Sequence, residues 1–226
     1  MVVPISQASA EQRAGRAGRI RPGKAFRLYP EEEYKKLMLS TVPEMQRCDL
    51  APVILQLKAL GIDNVLRFQF LGRPPAFAMV RGLELLFALG AIDKEGQLSS
   101  PLGFQMAEFP LPPMHAKVLL NSGEFSCSEE MATIVAMLQI QDVFLTPSGE
   151  RHKAEMIKRK FAVEEGDHLT LLNVFSAFDK NGRQKRWCAE HYVNYRGLCR
   201  AVEIRSQLIR YLLKYDIPMI SCNNVP

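Results

Sequence analysis

The sequence predicts a mainly α-helical protein in three consecutive parts: the remnant of an α/β domain, a winged helix of mixed α+β structure, and an all-α bundle. Three observations predict this order. Strand-like and helix-like segments alternate over residues 1–41, two apolar helices and a hairpin follow from Val42, and helical periodicity continues to about residue 215.

The N-terminal part has too few elements for a domain. Residues 2–5 and 23–29 are predicted strands, a helix is expected from about Ser6 to Arg19, and a second helix is expected over 30–39. Each strand of a sheet needs a neighbour for its backbone hydrogen bonds, and so short a piece cannot supply one. We therefore expect the end of a larger α/β domain whose beginning is absent, and a chain that is a fragment.

The middle part has the outline of a winged helix. Apolar residues at helical spacing predict one helix that stops at Gly61 and a second over 76–89 that stops at Gly90. Residues 91–100, AIDKEGQLSS, predict a hairpin with a Lys-Glu-Gly turn. Winged helices either bind nucleic acid or only pack against neighbouring domains, and the pattern leaves both open.

The third part is predicted to be helical throughout. Ser126 and Glu129 resemble a capping box ahead of an apolar run, and Asp167 is placed to cap a later helix. The last long helix is expected over 189–215, and residues 216–226 show no clear pattern.

Composition excludes several classes of protein. Hydrophobic residues make up 47% of the 226, yet no apolar run is long enough to cross a membrane, and no secretory signal pattern is present. The five cysteines are scattered without a Cys-x-x-Cys pair, which indicates reduced thiols in the cytosol or nucleus. Cys188 and His191 provide half of a zinc site, so we expect no metal. The lone Trp187 is predicted to lie in the core.

Charge favours a phosphate-bearing partner. The formal net charge is +5, and positive residues cluster within 11–27, 151–160 and 180–186. Such clusters are typical of nucleic-acid or nucleotide contacts, although a solvated surface is the commoner explanation of any one of them.

The segment QRAGRAGR, which begins at Gln12, carries two glycines inside a predicted helix, and each costs about 1 kcal/mol relative to alanine. Gln12, Arg16 and Arg19 lie within roughly 60° of one another at about 100° per residue. Two guanidiniums and an amide that point one way suit a polyphosphate. Gly15 and Gly18 would keep the helix slim where a backbone or ligand approaches. A solvated basic helix explains the arginines but not the glycines.

QRAGRAGR resembles the arginine-rich sixth motif of superfamily 2 helicases, in the form typical of DEAH-box RNA helicases. The surrounding sequence is similar too, in order, over about residues 2–215. The segments that carry the resemblance are VPISQASAEQRAGRAGRIRPGKAFRLY, PEMQRCDLAPVILQLKALGI, LGAIDKEGQLSSPLGFQMAEFPLPP, IVAMLQIQDVF, GDHLTLLNVFSAF and WCAEHYVNYRGLCRAVEIRSQL.

The resemblance implies a division into domains. Residues 1–41 would be the C-terminal piece of the second RecA-like helicase domain, 42–110 the winged helix, and 111–215 the ratchet bundle of the helicase-associated region. Residues 216–226 would be a tail that leads toward an oligonucleotide-binding fold missing from this sequence.

The resemblance also implies a nucleotide site. In the family this motif faces ATP bound to the first RecA-like domain, so Gln12, Arg16 and Arg19 would bind the γ-phosphate region. Arg16 and Arg19 would be the catalytic arginine fingers. ATP with Mg²⁺ is the cofactor expected of the complete protein. The sequence has no G-x-x-x-x-G-K-[ST] loop and no Asp-Glu-Ala-His box, so we expect this chain alone to bind no cofactor and not to hydrolyse ATP.

Single-stranded RNA and protein partners follow from the same resemblance. The last helix is similar to the ratchet helix beside the RNA channel, which makes Asn194, Arg196, Arg200 and Arg205 candidates for RNA contacts. Arg205 also falls at the margin of the apolar face, where an arginine that packs by its stem or pairs with an acid is the alternative. Other expected partners are the missing N-terminal RecA-like domain, a glycine-rich G-patch activator and spliceosomal proteins, with no membrane.

Three functions remain open. The first is the C-terminal part of a 3′–5′ RNA helicase that remodels ribonucleoproteins, in pre-mRNA splicing and in the nucleus, with the cytoplasm as the alternative location. The second is a non-catalytic RNA- or protein-binding module, such as a truncated isoform. The third is a related helicase that acts on DNA, which the form of QRAGRAGR disfavours.

Overall fold

The computed structural model describes residues 3–222, and the regular structure within them is almost entirely α-helical. Among these residues two isolated antiparallel bridges, Ile92–Leu98 and Phe144–Val193, are the only β structure. The helices are α1 (Gln7–Ala14), α2 (Glu31–Lys36), α3 (Ala51–Ala59), α4 (Ala76–Ala88), α5 (Leu102–Glu108), α6 (Pro113–Asn121), α7 (Ser128–Leu138), α8 (Arg151–Lys158), α9 (Asp167–Lys180), α10 (Lys185–Glu190) and α11 (Tyr195–Lys214). The prediction of a mainly α protein is confirmed.

The strands predicted in the N-terminal part are not formed. Residue 2 lies outside the described residues, and residues 3–5 and 22–27 have no strand partner inside them. A strand is stable only beside a neighbour that pairs with its backbone, and the described chain provides none here. The predicted helix over 6–19 is present, but α1 tightens into a 3₁₀ turn at Gly15–Gly18.

The winged-helix part contains both predicted helices and a reduced hairpin. α3 and α4 end close to the predicted stops, where Gly61 and Gly90 take left-handed φ values of 85° and 73°. The hairpin consists of the single Ile92–Leu98 bridge and a turn, because α5 begins almost at once after it. An added Cβ at Gly103 would lie 2.2 Å from the carbonyl oxygen of Ala91, so α5 and the hairpin touch at a position that only glycine fits.

The helix starts predicted for the bundle are wrong in detail. α7 begins at Ser128 after Cys127, and no side chain caps it, while Ser126 lies in a left-handed turn with φ 55°. The reason is a long-range contact: the Ser128 hydroxyl donates to the carbonyl of Pro218 at 2.6 Å, and the Glu129 amide donates to the carbonyl of Ile220 at 3.2 Å.

The first residues of two further helices also differ from those that the sequence pattern predicts. Asp167 is the first residue of α9 and does not cap it, since Gly166 precedes the helix. The last predicted helix is divided into α10 and α11, and the side chain of Asn194 caps α11 by accepting from the Gly197 amide at 3.1 Å.

Two clusters of buried side chains hold the helices together. The first joins the winged-helix part to the bundle, because Ile54, Leu86 and Phe109 belong to the same cluster as Leu208 and Leu212 of α11. The second lies inside the bundle around Phe175, Phe178 and Trp187. The core position predicted for Trp187 is confirmed.

The segment after α11 packs back on the bundle. Residues 217–222 run over the start of α7, whereas residues 223–226 of the predicted tail lie outside the described residues. The predicted limits at 41, 110 and 215 stay predictions. No helix within residues 3–222 is both long and apolar enough to span a membrane.

Candidate functional site

The arginine segment occupies the end of α1 and the 3₁₀ turn after it. Gln12, Arg16 and Arg19 are all exposed, and the backbone stays right-handed helical from Ala14 to Arg19. Residues three apart eclipse one another in a 3₁₀ helix, so the turn brings Arg16 and Arg19 to one side. Neither guanidinium makes an ion pair or hydrogen bond to another residue of the described chain.

Backbone contacts hold α1 in place. The amides of Gln7 and Ala8 donate to the carbonyls of Met38 and Leu39 at 2.8 and 3.0 Å, and Ser6 contacts Thr41 at 2.9 Å between their hydroxyl oxygens. The first turn of α1 is therefore fixed to the segment that follows α2, and the arginines extend from the free end of that anchored helix.

The two glycines of the segment have no steric partner in the described chain. An added Cβ would meet no atom within 4 Å at Gly15 or at Gly18, whereas at Gly23 it would lie 2.3 Å from the carbonyl oxygen of Ala17. Gly23, which sequence reasoning missed, is thus required by a contact inside the chain. Any close approach that requires Gly15 and Gly18 comes from outside the described residues.

The four RNA-contact candidates divide into two groups. Asn194, Arg196 and Arg200 line one groove at the start of α11, with a cavity volume of about 410 Å³. Arg205 is nine residues beyond Arg196, which places it on the opposite side of the helix at about 100° per residue. Arg205 therefore lies apart from the other three candidates, and RNA contacts by all four stay a prediction.

Arg205 is held between helices of the bundle. Its side chain is 27% exposed, its Nε donates to the Thr133 hydroxyl at 2.8 Å, and a terminal nitrogen lies 3.8 Å from a Glu129 carboxylate oxygen. Both partners belong to α7, so this arginine ties α7 to α11. The alternative of an arginine paired with an acid is the one that the geometry supports.

The exposed face of α11 continues beyond the predicted residues. Gln207, Arg210 and Lys214 lie within about 40° of the direction of Arg196 at about 100° per residue, and they border a second cavity. Lys214 also donates to Glu108 at the end of α5, which lowers the pKa of the Glu108 carboxyl. Polar residues recur at every third or fourth position of α11, and this spacing could have predicted the exposed face from the sequence.

The described residues contain no cluster of three or more His, Cys, Asp or Glu side chains that could hold a metal. His191 instead stacks on Trp187 with ring centroids 4.4 Å apart, and burial raises the pKa of the Cys188 thiol to about 11. These side chains therefore belong to the bundle core.

Two family models match the chain in succession. The winged-helix part of the helicase associated domain matches residues 82–111, and its ratchet-like part matches residues 112–171. The chain is 65% identical over 221 residues to a Caenorhabditis elegans protein named "Probable ATP-dependent RNA helicase DHX35 homolog", covering 98% of the chain and 30% of that protein.

Two other relatives have similar names. The human "Probable ATP-dependent RNA helicase DHX35" is 58% identical over the whole chain, which covers 32% of it. The Schizosaccharomyces pombe "Pre-mRNA-splicing factor ATP-dependent RNA helicase prp22" is 48% identical over 98% of the chain and 19% of its own length. The chain thus spans about a third or less of the relatives it matches.

Proposed function

Because this chain belongs to the DEAH-box RNA helicases, as a C-terminal portion with their winged-helix and ratchet-like regions, we propose that it serves ATP-driven movement along RNA. It supplies an arginine pair for ATP hydrolysis and a helix surface for single-stranded RNA. The whole protein moves 3′ to 5′ and remodels ribonucleoproteins in pre-mRNA splicing. This process places it in the nucleus, and recovery in cytoplasmic fractions without spliceosomal particles would contradict that.

The N-terminal residues support a site shared with another domain. Residues 22–28 make no backbone hydrogen bond to another described residue, and Phe26 and Leu28 on this segment are 82% and 98% exposed. An extended segment with apolar side chains is stable beside a further strand. The missing part of a RecA-like domain would provide that strand, and it would bring ATP with Mg²⁺ to Gln12, Arg16 and Arg19.

The RNA surface is supported above all by the free guanidiniums of Arg196 and Arg200. Both are exposed on one face of α11, and no carboxylate in the described chain pairs with them. Arg210 and Lys214 extend the face to a length of about 27 Å at about 1.5 Å per residue. Exposed cations in a row, of which Lys214 also pairs with Glu108, are suited to successive phosphates, and such contacts are salt-sensitive and largely independent of base sequence.

Substitution of Arg200 tests the RNA surface. We expect Arg200→Ala to weaken binding of single-stranded RNA and to lower the slope of log Kd against log salt by about 0.7, the value for one lost phosphate contact. Fluorescence anisotropy with a labelled oligonucleotide at several salt concentrations measures both quantities.

Arg186→Ala is the matched control, because Arg186 is an exposed arginine on α10 that pairs with Glu190 at 2.8 Å and lies outside the α11 face. An equal loss of slope in this variant would contradict a defined RNA surface. The same titration with single-stranded DNA tests the third function, because a helicase that acts on DNA should bind DNA at least as tightly as RNA. A non-catalytic module would bind RNA, but no longer protein that contains this chain would hydrolyse ATP.

The outer face of α4 is our proposed dock for a G-patch activator. Phe77, Val80 and Phe87 are exposed along this face, and Phe77 borders a cavity of about 540 Å³ with Arg47 and Arg81. An exposed aromatic beside a cavity is a typical anchor for a partner.

Phe77→Ala is therefore expected to weaken binding of a G-patch peptide about tenfold, the effect of losing one such anchor. Isothermal titration with the wild-type chain and with Phe125→Ala gives the comparison, since Phe125 is equally exposed but lies in the turn before α7. Equal weakening in both variants, or no binding by the wild type, counts against this dock.

A further inference from the structure

The arginine segment has one acidic side chain among its own residues. Residues 11–27 contain six Arg or Lys side chains and a single acid, Glu11. A carboxylate that paired with one of these arginines would occupy a guanidinium that the proposed ATP site needs. Within residues 3–222, however, Glu11 takes part in no ion pair. Its carboxylate binds a neutral hydroxyl instead.

Tyr34 of α2 provides that hydroxyl. It donates to a Glu11 carboxylate oxygen at 2.9 Å, and this hydrogen bond raises the pKa of Tyr34, so the hydroxyl is protonated at neutral pH. The Arg27 guanidinium lies over the Tyr34 ring, with its central carbon 4.1 Å from the ring centroid, which is within the range of a cation–π contact. Tyr34 therefore contacts both α1 and the extended segment 22–28.

Gln7 attaches α1 to the same region at a second point. Its side-chain Nε2 donates to the carbonyl of Leu37, directly after α2, at 3.0 Å. Gln7 and Glu11 are four residues apart, so they lie on one face of α1 and about 6 Å apart along its axis. A helix held at one point can turn about that point, whereas two contacts on one face also fix its rotation about its own axis.

The rotation of α1 sets the direction of the arginine pair. Arg16 follows Glu11 by five residues, which places it about 140° around the helix at about 100° per residue and directs it away from α2. The Glu11 carbonyl also accepts from the Gly15 amide, where the 3₁₀ turn begins. A displacement of Glu11 is therefore passed to Arg16 through a single hydrogen-bonded turn.

We propose that Tyr34 is a positioning residue for ATP hydrolysis: its hydroxyl holds Glu11 against α2, which directs Arg16 and Arg19 toward the γ-phosphate and keeps the acid away from them. The inference rests on the proposed ATP site. It adds a residue that does not touch the nucleotide and acts only through the arginines. A single exposed hydrogen bond is sufficient for this role, because a displacement of about 1 Å in a catalytic group can cost about 100-fold in rate.

Tyr34→Phe tests the positioning, because it removes the hydroxyl and keeps the ring under Arg27. In a longer helicase that contains this chain, we expect kcat for ATP hydrolysis to fall about three- to tenfold, the effect of losing one hydrogen bond. The KM for ATP should stay within about twofold, since arginine fingers act on charge that develops in the transition state. Tyr29→Phe is the matched control and should leave kcat unchanged, because the Tyr29 hydroxyl makes no hydrogen bond within the described part of the chain.

Two further variants distinguish positioning from a general effect on the fold. In an Arg16→Ala background, Tyr34→Phe should cause no further loss of kcat, because the group that it positions is absent. Glu11→Gln should stay within about twofold of the wild type, since an amide oxygen still accepts from the Tyr34 hydroxyl. The urea midpoint of Tyr34→Phe should equal that of the wild type.

The outcomes separate this inference from the proposed function. If Arg16→Ala lowers kcat but Tyr34→Phe does not, or if the two losses multiply, the positioning role is refuted and the ATP site stands. If Arg16→Ala leaves kcat unchanged, both are refuted. Should Tyr34→Phe shift the urea midpoint, Glu11→Ala decides in its place, because it removes the same hydrogen bond from an exposed position on α1.

Discussion

Replacing Arg16 by alanine in a longer helicase that contains this chain is expected to lower kcat for ATP hydrolysis by about 10³-fold or more, the effect of losing an arginine finger. Arg16 is exposed and makes no contact that stabilises the fold, so the free energy of unfolding should change by less than about 0.5 kcal/mol. Arg16→Lys should not restore the rate, because an ammonium cannot replace the planar guanidinium. Steady-state ATPase assays with and without RNA measure the loss.

Arg13→Ala is the matched control for this prediction. Arg13 is an equally exposed arginine of α1, but it lines a cleft with Phe26 and Tyr29. A similar loss of kcat in both variants would show a general effect of charge near α1. The 226-residue chain alone should give no hydrolysis above an Arg16→Ala, Arg19→Ala background.

Replacing Phe109 by alanine is expected to lower the free energy of unfolding by about 3–5 kcal/mol, the usual cost of truncating a buried phenylalanine. Phe109 is 2% exposed, and its ring centroid lies 5.1 Å from that of Tyr211 and 6.1 Å from that of Tyr215. It follows α5, whereas both tyrosines belong to the end of α11, so the winged-helix part and the bundle should lose stability together. Urea unfolding followed by circular dichroism and by tyrosine fluorescence measures both parts.

Phe104→Ala is the comparison for the core prediction. Phe104 lies on α5 with 52% of its surface exposed, and its truncation should cost less than about 1 kcal/mol. Two separate transitions in the Phe109→Ala variant, with only one of them shifted, would contradict a core shared between the two parts.

The sequence predicted a helix correctly where the residues that determine it all lie within that helix or next to its ends. The apolar spacing of α3 and α4, with Gly61 and Gly90 as their stops, depends only on neighbouring residues, and the structure confirms it. The 23–29 strand had an equally clear local pattern. It failed because strand formation depends on a partner that the described chain does not contain.

Contacts between distant residues account for the other differences. The Ser126–Glu129 box is a sound local pattern, but residues 218–220, about 90 positions later, supply the groups that bind the start of α7. The sequence placed Arg205 at the margin of the apolar face and left its partner open, and only the fold identifies Thr133 and Glu129 of α7 as its contacts. Gln139 and Gln141 follow no periodic pattern, so only the fold could bring them to the groove that Arg196 and Arg200 also line.

The start of α7 contacts two other parts of the chain. Near its first turn it binds Arg205 of α11 through Glu129 and Thr133, and it also binds the backbone of residues 218–222 through Ser128 and Glu130. These contacts therefore join α11 and residues 218–222 through α7, so that a displacement of α7 would move both.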